Sequence, residues 1–246
     1  GTEGLPARRQ IVDVSDRGSD TFEYLEHETR SGRTFVIRAT HDRSILAGED
    51  DPEAEQALLI DWARMLPSLG ASQTSVRIPA RQREKSSGEL PALRMAKLKV
   101  SAAPLRVNAP HVHRGEHGDE PLAMWVVRVW EPEPPAGGDA LEWLLLTNHP
   151  CRTLRAARQV KEWYEWRWVI EEYHKSQKTG CAIEELQFRD ESRLEPALAV
   201  LSVVALTLLQ LRDAARDPAH SARRADGLMD PEAILVLSQW TEGRPC

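Results

Sequence analysis

Cysteine is scarce in this chain of 246 residues, which has only Cys151, Cys181 and Cys246. None lies near another in sequence, so neither a disulfide framework nor a cysteine-based zinc site is indicated. His111, His113 and His117 have no cysteine at metal-ligand spacing and read as part of a polar loop. A global excess of positive charge is also missing: the net charge is −6, which gives no overall signal for nucleic acid. No apolar run reaches the ~20 residues needed to cross a bilayer. The longest, Ala197 to Leu211, is interrupted by Ser202, Thr207 and Gln210, and reads as a buried helix. The N-terminus shows no signal-peptide pattern, and no internal repeat or low-complexity tract is visible. A reducing, cytoplasmic setting is the expectation.

What is present fits a globular protein. Hydrophobic residues make up 41% and charged residues 28%. The length suits one large or two small domains with a real core. Charge is unevenly spread. Residues 71–115 hold nine cations (Arg77, Arg81, Arg83, Lys85, Arg94, Lys97, Lys99, Arg106, Arg114) and two acids (Glu84, Glu89), hence a local +7. The acidic run Glu49, Asp50, Asp51, Glu53, Glu55 offsets part of this. Phosphate contacts are local, so an acidic chain with a basic stretch can bind DNA.

Periodicity predicts an α/β protein. Ile11–Val14 reads as a short strand with Asp16 just past its end, Thr21–Glu28 as a helix and Thr34–Arg38 as a second strand. Such a βαβ-like unit favours parallel strands. From His41 to Asp139 the pattern changes. A short helix is expected around Glu53–Leu66, and strands at Ser75–Ile78, Leu93–Val100 and Ala123–Trp130, separated by turn-rich pieces. Glu142–Thr147 reads as a buried strand because its apolar run is continuous. Leu154–Lys178 reads as one long helix or a pair, with Gly180 just past its end. A hydrophobic helix at Arg193–Arg212, a polar linker from Asp213 to Ala225 and a short amphipathic helix at Pro231–Trp240 complete the chain.

Four residues of the Leu154–Lys178 segment stand out: Tyr164, Arg167, Glu171 and Lys178, at offsets 0, 3, 7 and 14. On a continuous helix they project within roughly 60° of one another, over about 21 Å of axis. The opposite face, with Trp166, Val169, Ile170 and Tyr173, suits burial. The functional face offers a carboxylate for metal chemistry among donors suited to phosphates. A solvated helix face, with Glu171 and Lys175 as an ordinary i,i+4 pair, is the plainer reading.

The spacing Tyr-x2-Arg-x3-Glu-x6-Lys, within WYEWRWVIEEYHKSQKTG, resembles the Y-R-E-K signature of bacterial DDE transposases of the insertion-sequence-four group, which includes the transposon-five enzyme. IVDVSDRGSDTFEYL and RTFVIRATH resemble that family's segment around its second catalytic Asp, which falls on Asp16. LEWLLLTNHP resembles its strand before the catalytic helix, and LSVVALTLLQLRD its long hydrophobic helix. The resemblance implies a partial ribonuclease-H-like catalytic fold interrupted by a β-rich insertion and followed by C-terminal helices. Its segments would be residues 1–40 (an incomplete first part of the core), 41–139 (the insertion), 140–215 (the second part) and 216–246 (the start of a helical region).

The resemblance also implies a chemistry. Asp16 and Glu171, 155 positions apart in sequence, would hold Mg2+, with Mn2+ as a substitute. Arg167 and Lys178 would neutralise phosphates, and Tyr164 would donate a hydrogen bond to one. Trp143 and Trp168 would stack on or wedge out a base, and Arg38 would support a DNA hairpin. The partners would be double-stranded DNA at transposon ends and a second copy, in the nucleoid of a bacterial cytoplasm. The family's first catalytic Asp has no match: GTEGLPARRQ does not resemble its strand, and Asp13 shares a strand with the run leading to Asp16. The expectation is a chain truncated at its N-terminus. The alternatives are a catalytically inactive relative that binds DNA or full-length transposase and inhibits it, and a nuclease of the same fold in which Tyr164, Arg167 and Lys178 have no evident role.

Overall fold

The structure is a computed structural model that describes residues 10–48, 55–77, 93–110, 120–135, 140–187, 190–216, 227 and 229–242. It divides into two compact units, Gly1–Arg167 and Trp168–Cys246.

The first unit is built on one sheet. β1 (Val12–Ser15), α1 (Phe22–Ser31) and β2 (Thr34–Arg38) form the βαβ unit read from the sequence, with Val12 beside Thr34 in a parallel pair. Thr21 starts α1 by accepting a bond from the Tyr24 amide, and Gly32 ends it at φ 70°, where glycine carries no side-chain penalty. β3 (Ser44–Ala47), β4 (Gln56–Leu58), α2 (Leu59–Met65), β5 (Gly70–Arg77), β6 (Leu93–Val107), β7 (Leu122–Trp130) and β8 (Glu142–Thr147) follow. The strand order is β1-β2-β8-β7-β6-β3-β4, with β5 also on β6. Every pairing other than β1–β2 is antiparallel.

The result is a mixed α/β architecture with a mostly antiparallel sheet. The strands of the expected insertion are hydrogen-bonded into the same sheet as β2 and β8. The expected helix around Glu53–Leu66 is instead the strand β4 followed by the seven-residue α2. Glu49–Glu53 and the cations Arg81, Arg83, Lys85 and Arg114 lie outside the described residues, as do His111, His113 and His117.

Helices cover both faces of the sheet, and strict alternation sorts its side chains between them. Phe35, Ile37, Leu144 and Leu146 are buried with Phe22 and Leu25 of α1 and Leu59 and Ala63 of α2. Val36, Leu98, Val127 and Leu145 are buried with Ala157, Val160 and Tyr164 of α3 (Leu154–Trp166) on the other face. This double coverage explains the unbroken apolar run of β8. β6 is long enough to serve β5 at Leu93–Val100 and β3 at Leu105–Val107 along one edge. Pro104, with no N–H to donate, falls in the gap between those two partners.

The second unit holds α4 (Trp168–Lys175), a π-helical turn at Ser176–Gly180, α5 (Leu194–Arg216) and α6 (Pro231–Glu242). The expected Leu154–Lys178 helix is therefore a pair, broken at Arg167 and ending in the π turn. Glu172 of α4 is buried and ion-paired to Arg212 of α5, and Gln177 Nε2 donates to Ser202 Oγ at 3.1 Å.

Two burial expectations are corrected here. Trp166, Val169 and Ile170 are exposed, Trp166 at 72%. α5 was expected to be buried, yet Val200, Val203 and Leu206 face solvent and only Ala205 and Leu209 are buried among its described apolar residues. A helix that is apolar all round has no single core stripe, and here its neighbours cover one side only. Among the described residues α5 is the one helix long and apolar enough to cross a membrane, by length and composition alone. It also runs four residues past the expected end at Arg212, into the segment read as linker.

Candidate functional site

The parallel strands β1 and β2 finish at the same end of the sheet, and the candidate residues of the first unit gather there. Asp16 follows β1 directly. Its Oδ1 accepts the Gly18 amide at 2.8 Å, which caps a short 3-10 turn at Arg17–Ser19. The carboxylate is exposed, so its second oxygen faces water.

Asp20, four residues on, has the opposite role. It is fully buried, accepts the amides of Thr40 (2.6 Å) and His41 (2.9 Å), and pairs with Arg43. This tie fixes the segment leaving β2 against the turn after β1. The resemblance singles out Asp16 of VSDRGSD, and the structure gives the two acids of this segment different environments. A cavity of about 400 Å³ opens beside Asp20, lined also by Phe22, His41, Arg43, Gln56 and Asn108.

Arg38 ends β2, level with Leu145 of β8, and its Nη2 donates to the Glu142 carbonyl at 3.2 Å. Glu142 itself accepts from Arg64 (2.7 Å) and Arg128 (2.8 Å). These hydrogen bonds, that from Arg64 foremost, hold its carboxyl below the usual carboxylate range. Sequence reading missed this cluster because its members come from α2, β7 and β8.

On the other side of β8, Trp143 is half-buried and meets the ring of Tyr164 edge-on, with centroids 5.3 Å apart. Tyr164 is itself buried, and the Arg167 guanidinium stands 5.9 Å from its ring centre. The first unit thus brings Asp16, Arg38, Trp143, Tyr164 and Arg167 to one end of its sheet.

The second unit carries the other three candidates. Trp168, first in α4, is 48% exposed, and Glu171 is exposed on the first turn of that helix. The choice between neighbouring glutamates is clear in burial: Glu171 faces outward and Glu172 inward. Lys178 lies in the π turn, with Nζ 2.7 Å from Glu184 Oε1. That hydrogen bond raises the ammonium's pKa above its ordinary value. Glu184 thus occupies the ammonium of Lys178.

Asp16 and Glu171 belong to different units. Each is an exposed oxygen donor of the kind Mg2+ accepts, and that ion keeps several waters. No group of three His, Cys, Asp or Glu side chains that could hold a metal occurs among the described residues. The described donors therefore fit single carboxylate contacts to a hydrated ion and fall short of a full two-metal ligand set. No known protein-family model matches the chain.

Proposed function

We propose that this chain is the catalytic region of a DDE-type DNA transposase, with a partial ribonuclease-H-like core, acting in metal-dependent cleavage and strand transfer at transposon ends. The observation that carries the reading is the gathering of Asp16, Arg38, Trp143, Tyr164 and Arg167 at one sheet end, together with the Y-R-E-K spacing that continues into Glu171 and Lys178. A carboxylate, two arginines and an indole at one sheet end suit a phosphodiester whose neighbouring base is displaced. A bound Mg2+ or Mn2+ would polarise the scissile phosphate. Asp16 and Glu171 would hold the ion, Arg167 and Lys178 would balance phosphate charge, Trp143 and Trp168 would take the displaced base, and Arg38 would brace the bent strand. The partners proposed are duplex DNA and a second copy of the chain, inside a bacterial cell.

A second reading is a catalytically inactive relative that binds DNA or an active transposase and lowers its activity. The short donor set among the described residues favours it. Nicking of supercoiled plasmid by the whole chain, titrated with Mg2+ and Mn2+, separates the two. Nicking that is lost in Asp16→Asn and Glu171→Gln supports the transposase. DNA binding without nicking at any metal concentration supports the inactive relative, and the absence of both activities refutes both.

A further inference from the structure

We infer that the open part of the sheet face carried by β5, β6 and β7 is a docking surface for the phosphate backbone of duplex DNA. This rests on the reading above and adds the surface that would hold DNA beyond the cutting site.

β6 shows the pattern most plainly. Ala96, Leu98 and Val100 are buried against α3, whereas Met95, Lys97 and Lys99 between them are exposed on the other face. Ala71, Gln73 and Ser75 of β5 are exposed opposite them, in the pairs Ala71–Lys99, Gln73–Lys97 and Ser75–Met95. Farther along the same face, Leu105 and Val107 are buried in the core that includes α1 and α2. The open part is therefore a solvent-facing surface beside the core. Lys99 stands beside Trp130 of β7, and the Arg128 guanidinium lies 4.2 Å from that ring's centre. Arg64 reaches the row from α2 through Glu142.

Lys97 and Lys99 stand beside Arg64 and Arg128, which Glu142 and, for Arg64, Asp61 and Asp42 offset, so the positive excess on this face is carried by the two lysines in a chain whose total is −6. β5 and β6 contain no acid, and of the β6 cations Lys97 and Lys99 lie on this face, whereas Arg94 alternates onto the other face and pairs with Glu131. Among the described residues neither Lys97 nor Lys99 has an ion pair. Charge held locally against the overall sign points to an anionic partner. The chemistry of the face selects among such partners. Apart from Met95 and the half-buried Trp130, which the Arg128 guanidinium covers, the face is lysine, glutamine, serine and alanine, a poorer fit to an apolar protein interface or a bilayer. The lysines, glutamine and serine do suit sequence-independent contacts to phosphates.

This face is the opposite side of the sheet from Trp143 and Tyr164 and meets the candidate site only at the sheet end. Lys99, Trp130 and Glu142 form a row across β6, β7 and β8 near the sheet end where Asp16 and Arg38 lie. Four strand steps separate β1 from β6. At about 4.8 Å per step this is roughly 19 Å, or about five to six base pairs of duplex.

Lys97→Gln with Lys99→Gln in the whole chain tests this. Binding of a mixed-sequence duplex is measured across a salt series, with melting of the protein as a fold control. Loss of two phosphate contacts makes the log K against log salt slope shallower by about two and weakens binding roughly tenfold or more at about 0.1 M salt. The loss is equal on unrelated sequences, and Lys97→Arg with Lys99→Arg restores the slope. An unchanged slope in a variant that melts like the wild type overturns this surface while leaving the transposase reading to its nicking assay. Wild-type protein that binds no duplex overturns both. Lysine-dependent binding to anionic lipid vesicles in place of duplex also overturns the surface.

Discussion

Adjacent glutamates on α4 separate stability from chemistry. Glu172 is about nine-tenths buried and ion-paired to Arg212. Breaking a fully buried pair costs about 3–5 kcal/mol, because the surviving charge is stranded. Arg212 is 30% exposed and also donates to Asp213 Oδ1 at 2.9 Å, so it keeps water and a second acceptor. Glutamine in place of Glu172 retains shape and one hydrogen-bond acceptor. The discounted cost is about 1–2 kcal/mol. For a chain of this size that is a fall in melting temperature of roughly 3–6 °C. Glu171 is exposed, and Glu171→Gln should change stability by less than about 0.5 kcal/mol. Thermal melts of both variants, paired with metal-dependent nicking, give a crossed result: Glu172→Gln melts lower and nicks in proportion to its folded fraction, whereas Glu171→Gln melts normally and does not nick. Equal melting losses in the two variants would refute the inward and outward assignment. Wild-type nicking by Glu171→Gln would remove that residue from the metal site.

Three further outcomes are expected. Tyr164 is buried against Trp143, so Tyr164→Ala should cost about 3–5 kcal/mol in chemical denaturation, whereas Tyr164→Phe should keep stability and lose only DNA affinity if its hydroxyl meets phosphate. Burial, reinforced by the nearby Asp13, pushes the Glu28 carboxyl above its ordinary value of 4.5. The folded state therefore holds that proton more tightly, and this contribution to stability is whole below the ordinary value and lost as pH rises through the raised one. Glu28→Gln cannot lose a proton there, so its stability advantage over the wild type should grow from pH 4 to pH 7 in a pH series of melts, and a constant gap would contradict it. Glu184→Gln should release Lys178 for phosphate, leaving melting unchanged and making the salt slope of DNA binding steeper by about one.

Much of the first unit is legible in sequence because its elements obey simple periodicity. β2 and β8 fall at their expected bounds, and the run of three leucines in β8 is explained by cores on both faces. β3 and β4 are harder to read. Each has four residues or fewer, and the acidic run between them suggests a helix start more than a strand. The break at Arg167 has no local mark, since WRW contains neither proline nor glycine. Helical period assigns Trp166, Val169 and Ile170 to a buried face, but period states only which residues share a side and not whether anything covers it. The candidate site shows the same division. Motif spacing picks out Glu171 over Glu172 as the outward acid, but it could not show that Tyr164 is a core residue or that Glu184 sits on Lys178.

The turn after β1 shows why the site could be read only in part. Asp16 and Asp20 are the same residue type, one turn apart, and both end backbone segments. Asp16 spends one oxygen on its own turn and leaves the other to solvent. Asp20 spends both, on Thr40, His41 and Arg43, all of which come after β2. The buried acid joins the exits of the two parallel strands, and those exits carry Asp16 and Arg38. An exposed carboxylate can meet a phosphate-bound cation at a defined place only if its backbone is held, and here a second carboxylate holds it. The sequence DRGSD contains both the candidate ligand and its support. The motif match points to Asp16, and the distant partner Arg43 with the two amides after β2 shows that Asp20 is its support.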